Sequence, residues 1–233
     1  MEGRSLSPNL VFPLLVYLFV CQRWWRVTES TPLLWTTLTL DRPFLQHLSI
    51  HLIQCLATTW FDRAGSLSLS LDLRTGRDDQ GDYSFLVLPY CDRMQDLVLQ
   101  CYNQESIHDL LSAFSSSPPI HFPWLWDFMI HSIDSHGDIL GPLHIGSAVN
   151  VQTLSMSISF NQWIIISNFL PWANLSNLTM QTIFPTFRPL LATCQNLKSG
   201  NFIICRHTGP DLAPTHGQDR DQMRGQYAIR SEG

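Results

Sequence analysis

The chain has 233 residues, 45% of them hydrophobic and 14% charged, with a net charge of -5. That composition describes a globular chain and excludes a disordered one; without a basic stripe it also excludes nucleic acid as a partner. Its six cysteines form no C-x-x-C pair, which predicts reduced, mostly buried thiols and a cytoplasmic or nuclear location.

Residues 1–9 are polar. Residues 10–21 form a run of 12 apolar residues, short of the roughly 20 that span a bilayer but as long as a signal-peptide core. Arg4 is offset by Glu2, and bulky Arg23-Trp24-Trp25 follow where a cleavage site needs small residues. Residues 1–19 are therefore set apart as an apolar N-terminal segment. A membrane-associated or secreted chain led by residues 10–21 is the alternative location, with sequons at Asn174 and Asn177 in its favour.

Val20, Trp24 and Val27 stand at i, i+4 and i+7, one face of a helix. Thr31-Pro32 ends it, because the residue before proline is pushed out of the α region. Trp35 follows, a large apolar body that must find cover. Residues 36–40 alternate as a strand. Residues 44–63 predict a helix on Leu45, Leu48, Leu52, Leu56 and Trp60, with Gly65 just beyond its end. Leu67 to Leu73 alternates strictly, and residues 74–82 form a polar loop whose aspartates lack EF-hand spacing.

Five later segments share the template L-x-x-L-x-L with substitutions, starting at Met94, Leu125, Val151, Leu175 and Leu197. Their spacing of 22 to 31 positions overlaps the 20–29 of leucine-rich repeats. Helix-like pieces lie between them at 106–114 and 187–196. The expected fold is α/β: an irregular leucine-rich-repeat solenoid over residues 44–205, with an ordinary α/β domain of period-2 strands as the alternative. The polar residues 206–233 predict a disordered tail.

No catalytic constellation is present: neither G-x-S-x-G, nor Walker A, nor G-x-G-x-x-G. His47 and His51 stand at i, i+4 without the glutamate of H-E-x-x-H, and the group His131, Asp134, His136, Asp138 reads as a loop. The expectation is a non-enzyme with no cofactor and no metal.

The segment Val20–Trp35 resembles the last helix and exit turn of an F-box, in the form found in fungal F-box proteins with leucine-rich repeats. Val20, Cys21, Trp24, Val27, Thr31, Pro32, Leu34 and Trp35 fit that pattern; Trp25 stands where Arg is usual. Arg63-Ala64-Gly65 running into Leu67-Ser68-Leu69-Ser70-Leu71 resembles the same family. Phe187 to Asn196 is similar to its run before a strand, with Gln195 in place of proline. The first two-thirds of the F-box departs from the pattern, so residues 20–43 are expected to be a short helical, partial F-box segment.

The resemblance implies a substrate receptor of a cullin–RING (SCF) ubiquitin ligase. It would dock on a Skp-type adaptor through Val20, Trp24, Val27, Leu34 and Trp35 and hold an unknown protein client on the repeats. A truncated, inactive paralogue is a further alternative. Strand alternation puts the residues between template leucines on the opposite face. The expected client contacts are therefore Asp96, Gln100, Asp127, Met129, His131, Ser155, Asn177, Thr179 and Asn201, and the acidic side at Asp96 and Asp127 predicts Lys or Arg on the client.

Overall fold

In a computed structural model the chain is described over residues 22–41, 45, 48–76, 82–102, 109–110, 113, 120–132, 148–157, 172–183, 192–205 and 225–230. Eight strands form one sheet in sequence order: β1 (Thr37–Leu40), β2 (Leu69–Arg74), β3 (Met94–Cys101), β4 (Asp127–Ser132), β5 (Thr153–Ser157), β6 (Asn177–Ile183), β7 (Ser199–Cys205) and β8 (Gly225–Arg230). Neighbours from β1 to β7 pair in parallel, and β8 pairs antiparallel with β7.

Two rows of apolar residues run across the sheet and make its core. Leu38, Leu71, Leu97, Phe128, Leu154 and Leu178 stand in register, and Gly200 continues the row. Leu40, Leu73, Leu99, Ile130, Met156, Met180 and Phe202 form the second row. Every side chain named in the two rows is buried. A period of two puts these residues on one face of each strand, and register stacks them from strand to strand.

The leucine-rich-repeat solenoid expected from the sequence is not what forms. Among the described residues a single, mostly parallel sheet with few helices stands in its place, which is the ordinary α/β alternative. In-line leucines at period two are what any sheet with one buried face requires, so the template does not by itself single out a solenoid. The sheet also takes in β1 and β2, N-terminal to all five template segments. At the other end, residues 225–230 form β8, where the sequence predicts no regular structure. Pairing by β8 covers the β7 edge, whose backbone would otherwise be open to another chain.

Helix α1 (Gln22–Glu29) precedes β1, and helix α2 (Ile50–Arg63) joins β1 to β2. Ser49 starts α2: its Oγ accepts from the Leu52 amide at 3.4 Å. Gly65, at φ +62°, stands just past the end, where the left-handed conformation favours glycine. The buried stripe of α2 is Ile53, Ala57, Trp60 and Phe61. This corrects the expected face, since Leu52 is exposed. Of the expected residues Leu45 and Trp60 are buried and Leu48 and Leu56 pack partly buried against the core, so only Leu52 falls outside the stripe, which small Ala57 had hidden.

Candidate functional site: the polar face of the sheet

The face opposite the core carries three rows of its own. Thr37, Ser70, Asp96, Asp127, Thr153, Asn177 and Ser199 are in register across β1 to β7. Thr39, Asp72, Val98, Met129, Ser155, Thr179 and Asn201 form the middle row. Arg74, Gln100, His131, Ser157, Gln181 and Ile203 form the third. None of the described side chains in the three rows is buried. All nine expected client contacts therefore fall on one continuous surface, in three ranks.

Local chemistry is concentrated on β2 to β5. A register shift at the start of β3 puts Ser70 opposite Asp96, and the Ser70 hydroxyl donates to Asp96 Oδ2 at 2.5 Å. Asp127 is the register partner of Asp96 on the other side, so two carboxylates stand on adjacent strands about 4.8 Å apart along the sheet. Burial pushes the Asp96 carboxyl above the usual carboxylate range; the Ser70 hydroxyl opposes that rise and Asp127 adds to it. Asp72 is held by Arg74, whose Nε and Nη2 donate to its two carboxylate oxygens at 2.9 and 2.7 Å, the planar fork that guanidinium offers a carboxylate. His131 Nε2 lies 3.1 Å from Ser155 Oγ, and partial burial pushes its imidazole below the ordinary value. Gln100 Nε2 approaches Met129 Sδ at 3.9 Å.

No family model matches the chain, and it has no match among curated proteins or solved structures. The chemistry of the site is accordingly read from its own residues.

The expected adaptor contacts divide. Val20 lies outside the described residues, and Trp24 belongs to α1. Val27 and Leu34 are exposed, as is Leu33 at 71%. Beside them a groove of about 410 Å³ is lined by Ser30, Thr31, Pro32, Leu33 and the Ala64–Leu67 turn. Trp35 is a correction: it is 3% exposed and belongs to the interior. Its Nε1 donates to the Thr28 carbonyl at 2.7 Å, its ring meets Trp60 edge-on at 4.8 Å, and the Arg63 guanidinium lies 4.5 Å above it. Arg63 also approaches the Trp25 ring at 5.4 Å and Glu29 at 3.9 Å. The turn is thus locked onto α2, and Val27, Leu33 and Leu34 are the apolar side chains it leaves exposed.

Among the described residues no group of three or more His, Cys, Asp or Glu is placed to hold a metal ion. His51 is exposed on α2, while His47, Asp134, His136 and Asp138 lie outside the described residues. So do residues 10–21, Asp78 and Asp79. Of the helix-like pieces at 106–114 and 187–196, only residues 109–110, 113 and 192–196 are described. No helix among the described residues is long and apolar enough to cross a membrane.

Sequence reasoning missed a set of residues that ties one strand's approach to the next. Asn150 Nδ2 donates to the Pro123 carbonyl, Asn174 Nδ2 to Val149 at 2.8 Å, and Asn196 Nδ2 to Ala173 at 2.7 Å. Arg93 does the same from the turn before β3, with Nε and Nη2 on the Leu67 carbonyl at 3.1 and 3.0 Å. Trp124 occupies the equivalent place before β4, where it is 63% exposed. The signal was present as Asn150-Val151, Asn174-Leu175 and Asn196-Leu197. Each asparagine immediately precedes the first template residue of its segment, a position outside the L-x-x-L-x-L template.

Proposed function

We propose that this chain is a protein-interaction module of the F-box type, acting as the substrate receptor of a cullin–RING ubiquitin ligase, and that it is not an enzyme. The polar sheet face holds the client. The exposed exit turn at Val27, Leu33 and Leu34, with its neighbouring groove, meets a Skp-type adaptor. The observation that carries the reading is the uncovered face: two ranks of side chains cross seven strands and a third crosses six, with none of the described ones buried, while the opposite face is a filled core. Single-sided burial of this kind leaves an ordered surface that an extended protein segment can follow. The adaptor half rests on the resemblance of Val20–Trp35 to an F-box exit turn.

The test is a pull-down between the full chain and a purified Skp-type adaptor. Wild type should retain the adaptor, and Val27→Asp/Leu34→Asp should release it while still melting cooperatively. If wild type retains no more adaptor than the double variant, the ligase assignment falls.

The membrane-associated or secreted alternative predicts glycans at the two sequons. Asn174 gives its Nδ2 to the Val149 carbonyl, and Asn177 gives its own to Ser176 Oγ at 3.2 Å. A glycan would take those same nitrogens, so the geometry favours the unmodified chain.

A further inference from the structure

We propose that the polar face docks a basic, extended peptide segment over β2 to β4, with a lysine or arginine set against Asp96 and Asp127. The proposal rests on the open-face reading above and adds the chemistry of the partner.

Charge complementarity argues it. Arg74 is a cation of this face, and it is engaged by Asp72 through both carboxylate oxygens. Asp96 and Asp127 have no ion-pair partner among the described residues. They stand opposite each other on adjacent strands, an arrangement that destabilises a sheet when both are charged. The Ser70 hydroxyl offsets part of that at Asp96, but it brings no positive charge. A cation from outside the chain would offset the rest.

The surroundings suit an organic cation. A bare metal ion would find two carboxylates and no third ligand of its kind among the described residues. A lysine or arginine also brings an aliphatic stem, and Val98 and Met129, partly buried in the middle row beside the two carboxylates, give that stem an apolar bed. Trp126 immediately precedes Asp127 and is 49% exposed. Its backbone is fixed on both sides: its amide donates to the Gln95 carbonyl, and its own carbonyl accepts from Gln152 and Thr153. Neighbouring side chains in extended backbone face opposite ways, so the indole lies off the face that carries Asp127 and serves as a control there. The partner is extended because each rank runs straight across the strands.

The experiment is selection of random decapeptides displayed on phage against the immobilised full chain. Recovered peptides are then titrated by fluorescence anisotropy against wild type, Ser155→Trp, Asp96→Asn/Asp127→Asn and Trp126→Ala. Both Asp→Asn changes are isosteric, and a cooperative melt checks each fold. The expected result is enrichment in Lys and Arg, with binding about tenfold weaker to the double Asn variant and weakened further by salt. Trp126→Ala, off that face, should bind as wild type does, and a loss as large as that of the double Asn variant would overturn the placement on the polar face. Peptides without basic residues that Ser155→Trp blocks and the double Asn variant binds equally well would overturn the basic partner and leave the open-face reading standing. No recovered peptide, or peptides indifferent to Ser155→Trp, would overturn both.

Discussion

Asn174 donates from Nδ2 to the Val149 carbonyl at 2.8 Å, so the turn before β6 is tied to the turn before β5. Asn150 and Asn196 repeat the bond one strand earlier and one strand later. These carbonyls belong to turns and, at Ala173, to a short 3-10 helix, where no strand ladder supplies a partner. Asn150→Ala, Asn174→Ala and Asn196→Ala should each cost about 1 kcal/mol. Asn177→Ala should cost less, since its contacts at 3.2 and 3.4 Å are long and on the exposed face. Urea melts of the four variants check the order; equal values would remove the structural role from the three turn asparagines.

Trp35 and Leu34 are neighbours in sequence with opposite fates. Trp35 is buried against Trp60 and Arg63, while Leu34 is at the surface. Trp35→Ala should therefore cost about 3–5 kcal/mol, as a large buried deletion does. Leu34→Ala should stay within about 0.5 kcal/mol, as surface changes do. Thermal denaturation decides between them. A stable Trp35→Ala protein would return that residue to the adaptor surface.

Much of the sheet was legible because burial imposes a period that the sequence must obey. Leu71 and Leu73 on β2, or Leu154 and Met156 on β5, alternate with polar neighbours, and the face of each follows from that alternation. What closes the space between strands is not periodic, so the template leucines did not distinguish a solenoid from a single sheet. The α2 stripe was misread because Ala57 carries little hydrophobic signal although it is buried. Trp35 after its proline turn reads as a residue that must find cover, which it does; only the family resemblance set it among the adaptor contacts. β8 pairs through its backbone with β7, and backbone pairing leaves little trace in a short polar sequence.

Two groups on the polar face make stability depend on pH. Asp96 is harder to ionise folded than unfolded, because burial penalises its charge. Its contribution is favourable below the unfolded value of 3.8 and is lost as pH rises through the higher folded value. Asp96→Asn should melt above wild type at about pH 7, and that gap should close as pH falls towards about 4. His131 runs the other way: the fold favours its neutral imidazole. Its contribution is full above the unfolded value of 6.5 and is lost as pH falls through the lower folded value. His131→Gln should remove that acid-side loss between about pH 7 and pH 5. Melting temperatures across the range test both signs, and a gap for Asp96→Asn that widened towards acid would contradict the first.

Gly200 takes the place in the first core row that leucine or phenylalanine holds on the preceding strands. The Phe202 ring leans over it and fills that space as well as its own: a Cβ on Gly200 would lie 2.8 Å from Phe202 Cζ and closer still to Cε2. Phe202 is fully buried, so its ring has little room to retreat. Gly200→Ala should destabilise by about 1–3 kcal/mol through overpacking. Gly200→Ala with Phe202→Leu should recover part of that, because the smaller side chain vacates the contested volume. A double variant no more stable than the sum of its parts would show that the two positions do not share the space.

The two faces of β5 and β6 give the last prediction. Leu154 and Leu178 are each 1% exposed, in register in the first core row. Ser155 and Thr179, one residue further along each strand, are in register in the middle polar row. Truncating the leucines removes buried methyl groups and leaves cavities, so Leu154→Ala and Leu178→Ala should each cost about 2–5 kcal/mol. A tryptophan at 155 or 179 projects into space that the chain does not fill. Ser155→Trp and Thr179→Trp should therefore stay within about 1 kcal/mol of wild type, with Ser155→Trp the more costly because it loses the contact with His131. In a strand a shift of one residue exchanges the two faces completely, so the two pairs cannot both be destabilising if the register is right. Urea melts of the four variants separate the cases, and unfolding by the tryptophans with tolerance of the alanines would reverse the faces and remove the polar surface as a docking site.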